Sequence, residues 1–161
     1  MKKIVLILLF TLAFVGCSEE KIAVEPKIVI GKSLESMKLK DQFGELKTIH
    51  SDTKKVIFAF SKNTGHMCND FFNTKEPTFL TDNHVIFVAD VSSAPSLIRS
   101  MFIIPGLKDF KHTVLVIEDK TVSINYKHAD KAEDIMVVYL DNFIIKNIKY
   151  ISNKEALAKE F

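Results

Sequence analysis

One short stretch of the sequence holds the residue types that could do chemistry. Ser61 to Asp70 reads SKNTGHMCND, and in it Cys68 lies two residues after His66. The stretch follows Lys55 to Phe60, an apolar run with the length of a buried strand. A cysteine near the start of the next helix would have a lowered pKa, because the helix dipole favours the thiolate. With His66 adding to this effect, the pair predicts a catalytic thiol, in a peroxidase or a redox sensor.

A second interpretation gives Cys68 a structural role. The apolar residues of the stretch recur at helical spacing: Met67, Cys68, Phe71 and Phe72. A helix capped by Asn63 or Thr64 would then bury Cys68 as a small apolar residue. Because the chain has no resolving cysteine for Cys68 and no active-site motif of a thiol enzyme, the sequence favours this packing role.

The same residues allow a copper hypothesis. His66, Met67 and Cys68 are ligand types that copper(I) prefers. Neighbouring residues on a helix do not converge on one point, so this hypothesis requires the trio to lie in a loop. The remaining histidines lack metal-binding spacing and are predicted at the surface or at strand ends: His50, His84, His112 and His128. Apart from the copper hypothesis, we expect no metal site and no cofactor.

The first 27 residues predict export and a lipid anchor. Residues 1–16 combine a basic start with a short apolar stretch, which is typical of a signal peptide and too short to span a membrane. Phe14-Val15-Gly16-Cys17 resembles the lipobox of bacterial lipoproteins, in which the peptide is cut before the cysteine and the cysteine carries the lipid, palmitate included. Residues 17–27 would be the lipidated tether. The alternative is an ordinary cleaved signal with a chance cysteine.

The lipobox resemblance also implies a location. Ser18, and not an aspartate, follows Cys17, which by the sorting rules of Gram-negative lipoproteins favours the outer membrane. We therefore expect a lipid-anchored protein of the cell envelope, on the periplasmic face of that membrane. Lipidation of Cys17 would leave Cys68 as the last free thiol, so that no intramolecular disulfide could form.

The charge balance argues against nucleic-acid binding. The sequence has 22 basic and 20 acidic side chains, and removing residues 1–16 takes away Lys2 and Lys3, which leaves 20 of each. Arg99 is the one arginine. A domain without a basic excess is a poor candidate for binding phosphate backbones. The partners that we expect are the membrane, through the lipid on Cys17, and an envelope protein.

Residues 28–161 alternate between strand and helix patterns. Predicted strands cover Met37–Lys40, Leu46–His50, Lys55–Phe60, His84–Val91, Thr113–Ile117, Val122–Tyr126, Ile135–Leu140 and Phe143–Ile151. One predicted helix has a core-facing stripe of Leu97, Ile98, Met101 and Phe102, and Pro105-Gly106 would stop it. A last helix, Glu155–Phe161, would be capped by Ser152 or Asn153. Buried strands that alternate with helices predict a partly parallel sheet.

This order resembles the thioredoxin-like fold, in its peroxiredoxin and periplasmic thioredoxin branch. The residues that carry the resemblance are Ile30–Leu34, Leu39–Ile49, Lys54–Phe60, Ile135–Phe143 and Ser152–Phe161. The resemblance implies an α/β fold over residues 28–161, a three-layer sandwich with a mixed central sheet flanked by helices. A signal helix would precede it.

The active-site motifs of the family are missing. Thioredoxins have Trp-Cys-x-x-Cys after the central strand, and this chain has no tryptophan and no second cysteine there. Peroxiredoxins have Pro-x-x-x-Thr-x-x-Cys, whereas Thr64 and Cys68 are one residue too far apart. The cis-proline of thioredoxins would correspond to Thr113 or to Ile135, and neither is proline. We therefore expect a redox-inactive binding or accessory module. The alternatives are a thiol oxidoreductase or peroxidase that uses Cys68 alone, and copper handling.

Overall fold

A computed structural model describes residues 25–161. The predicted signal helix, Cys17 and all but the last three residues of the predicted tether lie outside the described residues. The strands are β1 (Lys38–Asp41), β2 (Leu46–Thr48), β3 (Lys55–Ala59), β4 (Val85–Asp90), β5 (Leu115–Ile117), β6 (Ile135–Asp141) and β7 (Ile144–Ile151). The helices are α1 (Lys62–Phe72), α2 (Phe79–Asp82), α3 (Ser96–Ile98), α4 (Ile104–Leu107), α5 (Lys120–Tyr126) and α6 (Lys154–Ala158). A π-helical segment, Arg99–Ile103, joins α3 to α4, and a 3₁₀ turn covers Ala129–Lys131.

The strands form one mixed sheet in the order β2-β1-β5-β4-β3-β6-β7. Strands β3, β4 and β5 are parallel, and the other neighbouring pairs are antiparallel. The central strand β3 lies between β4 and β6 and is almost completely buried, as its apolar composition predicts. The predicted mixed sheet with flanking helices is confirmed.

Apolar residues fill a layer on each face of the sheet. Successive residues of β3 point to opposite faces, so Val56 and Phe58 belong to one core cluster while Ile57 and Ala59 belong to the other. The first cluster includes Tyr126 of α5, and the second includes side chains of α1, α2 and α6. The three-layer sandwich is therefore held by burial on both faces of β3. Among the described residues, no helix has the length and apolar character that crossing a membrane requires.

The closing hairpin and helix agree with the sequence-based prediction. Strands β6 and β7 pair over seven residue pairs, and the turn between them holds Asn142 and Phe143 with φ of +45° and +69°. Asn153 caps α6, since its side-chain oxygen accepts a hydrogen bond of 2.8 Å from the Ala156 N–H.

The prediction of a strand over Val122–Tyr126 is wrong, because this segment is helix α5. Asp119 caps the helix, and its carboxylate accepts hydrogen bonds from both the N–H and the hydroxyl of Thr121 at 2.7 Å. These bonds also lower the pKa of Asp119. The fold gains a connection that carries the chain from β5 across the sheet to β6.

The helical run that precedes Pro105-Gly106 ends one residue after this pair, at Leu107. Pro105 lies in the first turn of α4, and the helix continues to Leu107. A proline is tolerated in a first turn because its missing N–H would have no intrahelical partner there. The π-helical segment directly before α4 changes the hydrogen-bond pattern at this point, so that a proline fits inside one continuous run of helix.

Gln42 fixes the segment that leads into β5. Its side-chain N–H donates to the His112 carbonyl and its side-chain oxygen accepts from the Val114 N–H, both at 2.9 Å. The Gln42 backbone N–H adds a bond of 3.0 Å to the Val114 carbonyl. Because Gln42 is buried, these bonds are shielded from water and hold residues 112–114 in one position.

Candidate functional site

Helix α1 begins at Lys62 because Ser61 and Thr64 form a capping box. The Ser61 hydroxyl accepts from the Thr64 N–H at 3.3 Å, and the Thr64 hydroxyl accepts from the Ser61 N–H at 3.1 Å. The prediction that Asn63 or Thr64 is the cap is therefore wrong. Thr64 is instead the buried partner of the cap, three residues into the helix.

Cys68 lies in the interior of this helix, seven residues after the cap. Its side chain is 0% exposed and belongs to the core cluster that contains Phe71 and Phe72, with Met67 packed against it. The favourable effect of the helix dipole is confined to the first turn, and burial acts in the opposite direction. Burial raises the pKa of the Cys68 thiol, so the expectation of a lowered pKa is wrong. The catalytic assignment of Cys68 itself stays a prediction.

His66 is exposed, whereas Cys68 faces the core. Side chains two positions apart on a helix point in directions about 200° apart, so the His66 ring is turned away from the Cys68 thiol. The copper hypothesis requires a loop at this position, but His66, Met67 and Cys68 all lie within α1. The three side chains therefore do not converge. Nor do any three His, Cys, Asp or Glu side chains in residues 25–161 form a group that could hold a metal ion.

Four large apolar side chains form an exposed surface on α3 and the π-helical segment. Leu97 is 64% exposed, Ile98 42%, Met101 57% and Phe102 63%. We call these four residues the apolar face. The prediction that they are core is wrong, because none of the four is buried; Leu107 in α4 is buried instead, and Phe110 packs against the core. An uncovered apolar group of this kind is typical of an interaction surface.

His112 is the one histidine that lies in the core of the described domain. It is 4% exposed, and its ring packs on Phe72, Phe87 and Phe110 at centroid distances of 5.3, 6.0 and 5.5 Å. Neither ring nitrogen has a hydrogen-bond partner among the described residues. Desolvation lowers the pKa of His112 to about 4, so the ring is neutral at pH 7. The prediction of a surface or strand-end residue is wrong here.

The sequence contains a signal that could have located His112. Phe110, His112 and Val114 alternate with Lys111 and Thr113, which is the period of a segment with one buried side. The structure buries His112 and Val114, half-buries Phe110, and leaves both intervening residues exposed. The alternation was therefore more informative than the polar character of the histidine.

Comparison with known proteins identifies the fold without assigning an activity. The chain matches no protein-family model and no curated protein sequence. Among solved structures, a candidate protein disulfide isomerase from Bacteroides thetaiotaomicron aligns with 85% of this chain and 88% of its own, at a TM-score of 0.51 and 14% identity. The fold is thioredoxin-like.

Two further solved structures align at lower TM-scores. A thio-disulfide isomerase from Thermus thermophilus aligns over 83% of this chain and 94% of its own, with a TM-score of 0.49 and 18% identity. A thiol peroxidase from Chromobacterium violaceum aligns over 85% and 88%, with a TM-score of 0.45 and 12% identity.

The thioredoxin-like topology also decides which position corresponds to the family's cis-proline. Strand β6, which begins at Ile135, pairs directly with β3, whereas Thr113 precedes β5, which β4 separates from β3. The counterpart is therefore Ile135, the second of the two predicted positions, and it is not proline. All peptide bonds of the described residues are trans.

The buried neutral His112 makes stability depend on pH. Its folded pKa of about 4 lies below the unfolded value of about 6.5, so the unfolded chain binds more protons between these pH values. We expect His112 to reduce the free energy of unfolding by up to about 1.4 kcal/mol for each pH unit below about 6.5, until about pH 4.

Urea unfolding at about pH 7 and about pH 5 measures this effect. The His112→Phe variant keeps an aromatic ring in the cluster and should lose this part of the acid sensitivity. His66→Gln, at an exposed position of α1, is the matched control and should behave like the wild-type protein. An equal loss of stability at the lower pH in wild type and His112→Phe would contradict the assignment.

Proposed function

We propose that the chain is a lipid-anchored envelope protein whose thioredoxin-like domain has no dithiol redox activity and acts as a binding module. The observation that carries the proposal is the position of Cys68, fully buried in the interior of α1 with a raised pKa. Thiol–disulfide exchange needs a thiolate that reaches its partner, and peroxide reduction needs the same exposed thiolate. A protonated thiol inside the core meets neither requirement.

The anchor is proposed from the N-terminal sequence. Gly16 and Cys17 end an apolar segment of signal-peptide length, and the polar residues Ser18, Glu19 and Glu20 follow. This arrangement is the one that the lipobox resemblance requires. The lipid on Cys17 would hold the domain at the periplasmic face of the outer membrane, and a tether ending at Lys27 would separate the two.

The binding role is proposed from the apolar face. Leu97, Met101 and Phe102 each expose more than half of their side chains, and each loses favourable burial energy by remaining in water. Covering such residues with a partner stabilises a complex, and aromatic and methionine side chains are enriched in protein interfaces. The proposed occupant is an envelope protein that meets the anchored domain at this surface.

We expect the Cys68 thiol to be unreactive in the folded protein. Alkylation of Cys68, followed by peptide mapping, should be at least roughly 100-fold slower than in the urea-unfolded chain, because the thiol reacts only after the structure opens. Peroxide consumption should be the same in wild type and in Cys68→Ala. The His66→Cys variant supplies a matched exposed thiol on the same helix, which should react quickly. Equal alkylation rates at positions 68 and 66 would instead support the single-cysteine enzyme.

We expect the Cys17→Ala variant to lose both lipid and membrane association. Wild-type protein should incorporate a palmitate analogue and sediment with the outer membrane, while the variant should do neither. Cys68→Ala is the matched control and should be labelled like wild type, because its cysteine at position 17 is intact. A Cys17→Ala variant that still fractionates with the membrane, or a wild-type protein without label, would contradict the anchor.

We expect a photo-crosslinking residue at position 102 to capture one protein of defined mass in intact cells. The same residue at Asn147, an exposed position on edge strand β7, should give no such adduct. Adding Leu97→Glu to the chain should abolish the adduct at position 102, since a charge in the apolar face opposes burial. An adduct of twice the chain's mass would show that a second copy of the chain covers the apolar face. Either that result or the absence of any adduct would contradict an envelope partner.

A further inference from the structure

A cavity of about 370 Å³ lies at the N-terminal ends of the parallel strands β3, β4 and β5. Thr53 lies two residues before β3, Val85 is the first residue of β4, and Thr113 lies two residues before β5. Helix α1 and Cys68 follow the other end of β3, so this cavity is separate from the position at which thioredoxins carry their cysteines. Its volume falls within the lower part of the range found for small-molecule sites.

Five titratable side chains line this cavity. They come from strand β2, the β2–β3 loop, the α2–β4 turn and the segment before β5: Lys47, His50, Asp52, His84 and Lys111. Four threonines, at positions 48, 53, 81 and 113, line it as well. Because β3, β4 and β5 are parallel, the segments that precede them meet at the same end of the sheet. The spacing of these residues in the sequence does not reveal this proximity.

The backbone at His84 is held in an unusual conformation at the cavity wall. Its φ is +56°, in the left-handed region that non-glycine residues rarely adopt. The His84 carbonyl accepts hydrogen bonds from the N–H groups of Lys54 and Lys55, at 2.8 and 3.4 Å. His84 Nδ1 lies 3.1 Å from an Asp52 carboxylate oxygen. With Nδ1–H donated to Asp52, the other ring nitrogen, Nε2, is an acceptor while the ring is neutral and becomes a second N–H donor when the ring is protonated. An anion can therefore hydrogen-bond the protonated ring.

The charges of the lining favour an anion. The lining holds two lysines and one aspartate, and protonation of its two histidines adds further positive charge. Lys47 already contacts Glu45 at 2.7 Å and Asp41 at 3.4 Å, so most of its charge is matched. Lys111 is exposed and forms no ion pair within residues 25–161, which leaves its ammonium group available.

We propose that this cavity binds a small organic anion through a carboxylate or phosphate group held between the Lys111 ammonium group and the Nε2–H of protonated His84. Asp52 orients the His84 ring, and the hydroxyls of Thr81 and Thr113 supply neutral hydrogen bonds to the same group. The proposal goes beyond the binding role of the apolar face and needs neither Cys68 nor the lipid anchor.

Histidine NMR on the intact protein tests the proposal directly. With ¹³C label in the histidine rings, the five histidines give separate probes in the purified full-length chain. Inorganic phosphate and succinate are titrated at constant ionic strength and at about pH 6, where histidine side chains are in general partly protonated. We expect saturable shifts of the His84 and His50 signals, while the signals of His66 on α1 and of His128 remain unchanged. Saturation by phosphate alone assigns a phosphate ligand, and saturation by succinate alone assigns a carboxylate.

Two variants locate the binding groups. Lys111→Gln should weaken binding about tenfold, which corresponds to about 1.4 kcal/mol. His84→Asn should weaken it as well, with the His50 signal as readout, and asparagine tolerates the positive φ at this position. Lys108→Gln, at an exposed lysine after α4, is the control and should leave the affinity unchanged. Shifts that never saturate with either probe, or equal affinities in Lys111→Gln and Lys108→Gln, would overturn the proposal.

Discussion

The environment of Cys68 depends on the pair of hydrogen bonds that starts helix α1. Ser61 and Thr64 cap one another, so the first helical residue is Lys62 and Cys68 follows almost two turns later. At that distance the thiol points toward the sheet together with Phe72. A helix that began closer to Cys68 would place the thiol among free N–H groups, where the thiolate is favoured. In this chain, burial decides the protonation state, and the thiol remains neutral.

Buried polar groups connect the end of β1 to this helix. Gln42, at the end of the first strand, holds the backbone of His112, and the His112 ring packs on Phe72 of α1. Both the nitrogen and the oxygen of the Gln42 side chain form a hydrogen bond, whereas the ring nitrogens of His112 have no partner in the described residues. An unpartnered buried ring is costly, and it costs least when it is uncharged. The domain therefore holds His112 as a neutral aromatic group against Phe72, which belongs to the same core cluster as the neutral thiol of Cys68.

Periodicity in the sequence located the seven strands of the sheet, but it also predicted a strand over residues 122–126, which form a helix. The short length and the β-branched and aromatic residues of the run that became β3 favour a strand, as do those of the hairpin strands β6 and β7. The residues of α5 fit both periods, because Val122 and Tyr126 are two steps apart on a strand face and one turn apart on a helix. The cap at Asp119 decides between them.

The same limit applies to the candidate sites. An apolar stripe shows that residues 97–102 share a face, but it does not show whether the protein or a partner covers that face. Likewise, Lys47 and Lys111 line one cavity although 64 positions separate them, because sheet order and not sequence distance brings them together. Residue spacing could predict the position of Cys68 after β3. It could not predict a site assembled where three parallel strands begin, because each strand start supplies only one or two of the side chains.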